Sequence, residues 1–323
     1  MKAVYCTGYG SSDVLSIREQ AIPSPAPGEI LIRTVATITA PADIAFRKGD
    51  PFIARAFTGF FAPKKIPGDA FAGTVAAIGS GVTKYKVGDE VFGSSGEAFG
   101  TNAEYLCIHE DGAFVMKPAS VSHAQAAAVS EGSLTALPFL RDAGLIKAGS
   151  RILINGAAGG VGVYAVQIAK IFGAEVTGVC GKKNRSFVSG LGADHVICYD
   201  EQDFIKTNAV YDIVFDAVGK SSYGKCRKIL SDGGRYMTTV PTGSILLHSL
   251  LTKTAKKKAI FMATGLRKPD QKRDDLKWMS EMMEQGRIRP VIDREFTLET
   301  ISEAHRYVET GHKRGSVVVR CDL

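Results

Sequence analysis

The residues whose types and spacing speak most directly of chemistry are Gly156-Ala157-Ala158-Gly159-Gly160-Val161-Gly162. A β-branched run at 151–154 leads into them, and the amphipathic stretch 163–172 follows. The pattern predicts a strand, a tight turn and a helix N-terminus. Such a terminus presents amide N–H groups without intrahelical acceptors at the positive end of the helix dipole, so it attracts a phosphate. Ala157, Gly159 and Gly162 fit a dinucleotide fingerprint with Ala in the first place. Small residues there let the backbone approach a pyrophosphate, and the last Gly lets helix and strand pack closely.

The next strand, 175–179, ends in Cys180-Gly181-Lys182-Lys183-Asn184-Arg185. A carboxylate at that end would hold the ribose hydroxyls of NAD. None is present. A small residue and three cations stand there instead, which attract a 2′-phosphate and favour NADPH over NADH. Asp216, Val218 and Gly219 close the fourth strand of this block, where a dinucleotide crosses the sheet.

These residues need two kinds of support. The first ~120 residues contain short strands (30–36, 73–79, and one after a turn within 86–93) separated by Gly and Pro turns, the pattern of an antiparallel, barrel-like unit. From about residue 122 strands at 152–154, 175–180, 195–198, 212–216 and 234–239 alternate with helical stretches at 164–172 and 223–230. That alternation predicts βαβ units and a parallel sheet with helices on both faces, an α/β class. A further strand is expected at 259–263, and the tail returns to strands at 291–296 and 316–320 around a helix at 300–309. The expected division is a discontinuous first domain, 1–121 with 283–323, and a nucleotide-binding domain, 122–282.

Composition narrows the class. The chain has 323 residues, 45% hydrophobic and 23% charged, which suits a globular protein. Its six cysteines form no CxxC pair and read as free thiols in a reducing compartment. The N-terminal residues enter a strand-like pattern instead of a secretory leader, so the expected location is cytoplasmic. The net charge of +7 comes with no nucleic-acid motif, and its densest cluster, Lys253, Lys256, Lys257 and Lys258, reads as a solvated helix face. Peripheral membrane contact is the lesser expectation for that cluster. The segment Phe52-Ile53-Ala54-Arg55-Ala56-Phe57-Thr58-Gly59-Phe60-Phe61-Ala62-Pro63-Lys64-Lys65 is aromatic, apolar and basic. With Phe46, its residues Phe52, Phe57, Phe60 and Phe61 are candidates to wall a pocket for a bulky apolar substrate; the segment equally suits a lid or a membrane contact.

Several separate motifs stand in a telling order: Pro27-Gly28-Glu29-Ile30-Leu31, Pro67-Gly68-Asp69-Ala70-Phe71-Ala72-Gly73, Val87-Gly88-Asp89-Glu90-Val91-Phe92-Gly93, Gly132-Ser133-Leu134-Thr135-Ala136, 155–162, and Glu303-Ala304-His305-Arg306. Together they resemble the medium-chain dehydrogenase/reductase superfamily, and within it the zinc-independent quinone oxidoreductase branch. The resemblance implies a GroES-like domain, a Rossmann domain, a substrate cleft between them and a homodimer. It places Tyr199 beside the adenosine phosphate, Thr135 in a cofactor-contacting segment at the opening of a helix, and Thr39 and Asp43 near the nicotinamide. The positions of the superfamily's catalytic zinc ligands correspond to Ala40, Asp69 and Glu131. Ala40 has no donor atom and two carboxylates are a poor zinc set, so no metal is expected. Asp69 and Glu131 are read instead either as a coupled acid/base or hydrogen-bonding pair, because neighbouring carboxylates push one pKa upward, or as residues that each cap a turn or form an ion pair. Cleft tyrosines of some quinone reductases are replaced by Ala45 and Pro51, so the resemblance names no proton donor.

The resulting expectation is an NADPH-dependent reductase of quinones or α,β-unsaturated carbonyls. Two alternatives stand beside it. One is a zinc-free NADP-dependent alcohol dehydrogenase or carbonyl reductase. The other is a nucleotide-binding protein with little turnover, held to a membrane or partner.

Overall fold

The computed structural model describes residues 1–63 and 66–321. The chain divides into two compact units, Met1–Glu131 with Lys268–Leu323, and Gly132–Arg267. In the first, β1 (Lys2–Cys6) pairs antiparallel with β2 (Leu15–Glu19). β3 (Glu29–Thr39) follows, then α1 (Pro41–Lys48), α2 (Arg55–Thr58), β4 (Ala70–Ile78), β5 (Glu90–Ser94), β6 (Tyr105–His109) and β7 (Ala113–Met116). α3 (His123–Pro138) leads into the second unit. There the order is β8 (Arg151–Asn155), α4 (Gly162–Ile171), β9 (Glu175–Cys180), α5 (Arg185–Gly190), β10 (His195–Cys198) and β11 (Tyr211–Asp216). α6 (Tyr223–Cys226), β12 (Leu230–Thr238), α7 (Gly243–Leu251) and β13 (Lys258–Ile260) complete it. The first unit then resumes with α8 (Pro269–Glu284), β14 (Ile292–Thr297), α9 (Ile301–Glu309) and β15 (Ser316–Arg320).

Beside the β1–β2 pair, the other strands of the first unit form a sheet ordered β14-β15-β3-β4-β5-β7, with β6 also on β3. β3 can serve three partners because it is 11 residues long: β6 pairs with its beginning and β15 with its end. Register shifts against β4 bend it between those roles. Val317 of β15 lies opposite Thr39 of β3, so the tail adds β15 and β14 to the sheet that β3 begins. One core cluster joins Ile30, Ile32, Phe71, Val91 and Phe114. Another packs Ile301, Ala304 and Val308, one stripe of α9, on Val4, Val317 and Val319.

The second unit is a parallel sheet ordered β10-β9-β8-β11-β12-β13. Ile152, Leu153 and Ile154 are consecutive and all buried, as are Val214 and Phe215, because helices cover both faces of such a sheet. The strand order reverses between β8 and β11. That switch point leaves a crevice at their C-terminal ends, where ligands of open α/β sheets bind.

Several local expectations are corrected. The stretch expected as a helix at 223–230 is a turn of α6, a 3₁₀ turn at Arg227–Ile229 and the start of β12, because Leu230 is drawn into pairing with Tyr211. β13 stops at Ile260, where its pairing with β12 ends. The lysine cluster is not on a helix: Lys253, Lys256 and Lys257 lie in the turn after α7, and Lys258 opens β13. The division falls at Glu131/Gly132 and Arg267/Lys268 instead of 121/122 and 282/283. α8 joins the first unit, packing beside β7, where Arg273 Nη1 donates to Gly112 O at 3.1 Å.

Candidate active site

The turn after β8 is held by its own backbone. Gly156 has φ of 83°, a conformation costly for a residue with a Cβ. Its N–H and that of Ala157 both donate to Val179 O at 3.0 Å, which ties the turn to β9. A Cβ at Gly156 would lie 2.4 Å from Val218 Cγ1, so the turns after β8 and β11 meet there. A Cβ at Gly162 would stand 2.1 Å from Gly156 O, so this glycine sets how closely α4 approaches the strand. Gly159 would meet only an ordinary 3.4 Å contact, so packing alone does not demand glycine there. Val161 stands at the N-cap of α4 without a side-chain acceptor for the first-turn amides. This arrangement suits an external anion.

Two neighbours refine the expected cradle. Gly132 in α3, which belongs to a quoted motif but not to the expected contact set, would place a Cβ 2.3 Å from Gly160 O. It is therefore the residue that lets α3 lie against the turn. Thr135 does not open a helix as expected; it sits near the C-terminal end of α3, because the alanine-rich stretch before it is already helical. Asp216 is fully buried and accepts from Asn155 Nδ2 (2.9 Å), Ser221 N (2.7 Å), Val218 N (3.3 Å), Lys220 N (3.4 Å) and Tyr236 Oη (3.2 Å). Both its oxygens are engaged by the protein. Asp216 thereby fixes the turn carrying Val218 and Gly219.

At the end of β9, Cys180 is buried and its thiol is pushed up to about 11, chiefly by burial. The Tyr199 hydroxyl lies 3.0 Å from where a Gly181 Cβ would be. Lys182 and Arg185 stand at the start of the following helical turns, as the spacing predicts. The sequence reading missed their partners. Lys182 Nζ is 3.0 Å from Glu201 Oε1, Arg185 Nη2 donates to Glu201 Oε2, and the Lys182 N–H donates to both oxygens of Asp200 at 3.0 Å. Asp200 and Glu201 follow β10, which pairs in register with β9, so the sequence signal was two acids just past the third strand.

In the first unit, Thr39, Asp43, Asp69 and Glu131 come from β3, α1, the turn before β4, and α3. Thr39 is buried, with no partner for its hydroxyl. Asp43 is also buried and its Oδ2 accepts from Ala40 N at 2.8 Å, closing the first turn of α1. Burial, then the charges of Glu131 and Asp69, push its carboxyl up to about 8. The Glu131 carboxyl is pushed up to about 7, mainly by burial and further by Asp69, against the attraction of Lys313. Asp69 Oδ1 accepts from Ser94 Oγ and from Gly96 N, each at 2.6 Å. The charges of Asp69 and Glu131 thus act on Asp43, and that of Asp69 acts on Glu131. Lys313 is an addition: burial pulls its amine down against the pull of Glu131 and Asp293, and Nζ donates to Gly315 O at 2.6 Å. Only the pairing of β15 with β3 brings this tail lysine within range.

The aromatic segment forms a 3₁₀ turn, Phe52–Ala54, and α2; Lys64 and Lys65 lie outside the described residues. Phe46 meets Phe57 at 6.3 Å and Phe99 edge-on at 5.4 Å, while Phe52 approaches Phe60 at 6.3 Å. Phe61 is 100% exposed.

Residues 26–138 match the alcohol dehydrogenase GroES-like domain, and residues 191–319 match the zinc-binding dehydrogenase family. A chloroplastic quinone oxidoreductase of Triphysaria versicolor is 33% identical over 340 residues, covering 99% of this chain and 98% of that protein. The chain belongs to the medium-chain dehydrogenase/reductase superfamily, in its quinone-oxidoreductase-like branch. It is an oxidoreductase of that type, with a GroES-like domain and a Rossmann sheet. A chloroplastic NADPH-dependent alkenal/one oxidoreductase of Arabidopsis thaliana is 31% identical, covering 99% of this chain and 79% of that protein. A quinone oxidoreductase structure from Coxiella burnetii has a TM-score of 0.89 at 30% identity, each chain 99% covered.

The catalytic zinc found in part of this superfamily does not fit the residues present. Ala40 has no ligand atom, and Asp69 Oδ1 already serves Ser94 and Gly96. Among the described residues no group of three His, Cys, Asp or Glu side chains is arranged to hold a metal. No helix among the described residues is long and apolar enough to cross a membrane.

Proposed function

We propose that this oxidoreductase uses NADPH to reduce quinones or α,β-unsaturated carbonyl compounds, without zinc. One observation carries the reading: an anion-accepting turn after β8 stands beside a β9 end that bears cations and no carboxylate of its own. The names of the Triphysaria and Arabidopsis relatives support both the acceptor class and the cofactor. The bound cofactor supplies a hydride to the acceptor. The chain's own part is to position and to provide a proton. Residues 156–162, Thr135, Cys180, Gly181, Lys182, Lys183, Arg185, Tyr199, Val218 and Gly219 form the proposed cofactor cradle, with Asp216 shaping its turn. Asp43 and Glu131, whose carboxyls keep protons to about pH 8 and 7, are the proposed proton reservoir. Phe46, Phe52, Phe57, Phe60 and Phe61 support a bulky apolar acceptor. A homodimer belongs to this reading. Its support is the exposed leucine face of α7 (Leu246, Leu247, Leu250 and Leu251), next to the open edge of β13.

The test is an NADPH-consumption panel of quinones, enones, aldehydes and ketones, with products identified. Quinols and saturated carbonyls should form, and activity should survive exhaustive chelation. Consumption confined to saturated aldehydes or ketones, or activity lost to a chelator and restored by zinc, would overturn the reading. Light scattering should give twice the mass of one chain.

A further inference from the structure

We propose that Glu201 is an internal stand-in for the 2′-phosphate, so that NADPH docks by displacing a carboxylate from Lys182 and Arg185. This rests on the β9 end being the 2′-phosphate subsite. The two Glu201 oxygens each take one cation, Oε1 the Lys182 amine at 3.0 Å and Oε2 the Arg185 guanidinium. Two oxygens of a phosphate group would use the same donors. Glu201 is placed for this by the turn after β10, where its N–H donates to Cys198 O at 3.0 Å. The hydrogen bond from Lys182 holds its carboxyl below the usual range, so the competitor is charged at neutral pH.

Both sides of this pair are open to solvent, with side chains 71%, 52% and 37% exposed for Lys182, Arg185 and Glu201. Exposed ion pairs are weakly held, and a phosphate carries more charge and more acceptor oxygens than a carboxylate. The exchange therefore runs toward bound NADPH, but each binding event must break two existing contacts. NADH has no 2′-phosphate and leaves the pair intact. Glu201 thereby lowers affinity for the phosphorylated cofactor alone and sets the size of the NADPH preference. The sequence reading counted the cations and missed the anion that neutralises them.

The experiment is calorimetric titration of wild type and Glu201→Gln with NADPH, NADH, adenosine 2′,5′-bisphosphate and 5′-AMP. Glu201→Gln should bind NADPH and the bisphosphate roughly three- to tenfold more tightly, while NADH and 5′-AMP change by less than about twofold. Glu201→Asp, which retains charge on a shorter arm, should fall between. Equal NADPH affinities in wild type and a folded Glu201→Gln, or a variant that weakens NADPH, would overturn the stand-in role. A wild type that binds NADH as well as NADPH would instead defeat the 2′-phosphate subsite itself, whatever the variant does.

Discussion

The turn after β8 and the carboxyl group around Asp43 solve opposite problems. The turn is made of backbone: amides, a positive φ at Gly156, and positions where a Cβ has no room. Its residues are neighbours in the chain, and its chemistry follows from having almost no side chains. The group in the first unit is made of side chains from β3, α1, α3 and the turns before β4 and β15. Its chemistry follows from their environment, because burial and mutual repulsion raise carboxyls that would otherwise be ionised. The backbone site tolerates no added atom at Gly156 or Gly162. A side-chain site tolerates isosteric change and answers to pH.

The largest expected effect tests the backbone half. Gly162→Val should destabilise the second unit by about 3 kcal/mol or more and abolish NADPH binding, since the new Cβ would meet Gly156 O at 2.1 Å. Denaturant unfolding with cofactor titration measures both; an unchanged midpoint would show that the turn can move. On the other half, Glu131→Gln should leave the fold intact and cut kcat by about 10²-fold. In wild type kcat should fall as pH rises through about 7, and the variant's profile should be flat there. An unaltered pH profile in Glu131→Gln would remove Glu131 from the proton path.

Stability carries the same signature with a definite sign. Folded Asp43 holds its proton to about pH 8, whereas its ordinary value is 3.8. The stability this contributes is complete below about pH 4 and is lost as pH rises through 8. Glu131 behaves alike through about 7. His305 runs the other way: burial, then the charge of Arg47, lowers its ring to about 3. Its contribution is present above its ordinary value of 6.5 and is lost as pH falls toward 3. Asp43→Asn keeps an acceptor for Ala40 N and should gain roughly 1–3 kcal/mol over wild type at pH 9, with little gain at pH 5. Melting curves at the two pH values decide it; equal gains would mean the burial of Asp43 carries no charge penalty. The smallest effect belongs to the exposed loop. Phe61→Ser should change stability by less than about 0.5 kcal/mol and raise KM for hydrophobic quinones about threefold. Unchanged KM values would remove Phe61 from the acceptor pocket.

The contrast also explains what could be read in advance. The turn at 156–162, the flanking strand and helix, and the cations after β9 are local, and local pattern reveals them. Gly132, Glu201 and Lys313 were missed because each acts on residues distant in the chain. Gly132 matters only where α3 crosses the turn, Glu201 only because β10 lies beside β9, and Lys313 only because β15 returns to β3. The helix expected at 223–230 failed for the same reason, since the pairing of Leu230 with Tyr211 overrode local preference.

Sequence alone therefore determined the βαβ order, the glycine-rich turn after β8 and the missing acid at the end of β9. Each is set by residue types within one turn or one strand of chain. Tertiary structure decided which carboxyls burial raises, which anion faces Lys182 and Arg185, and that Asp216 braces the turn after β11. Those outcomes depend on desolvation and on charges a few ångströms apart in space, and neither quantity exists until strands far apart in the chain have paired.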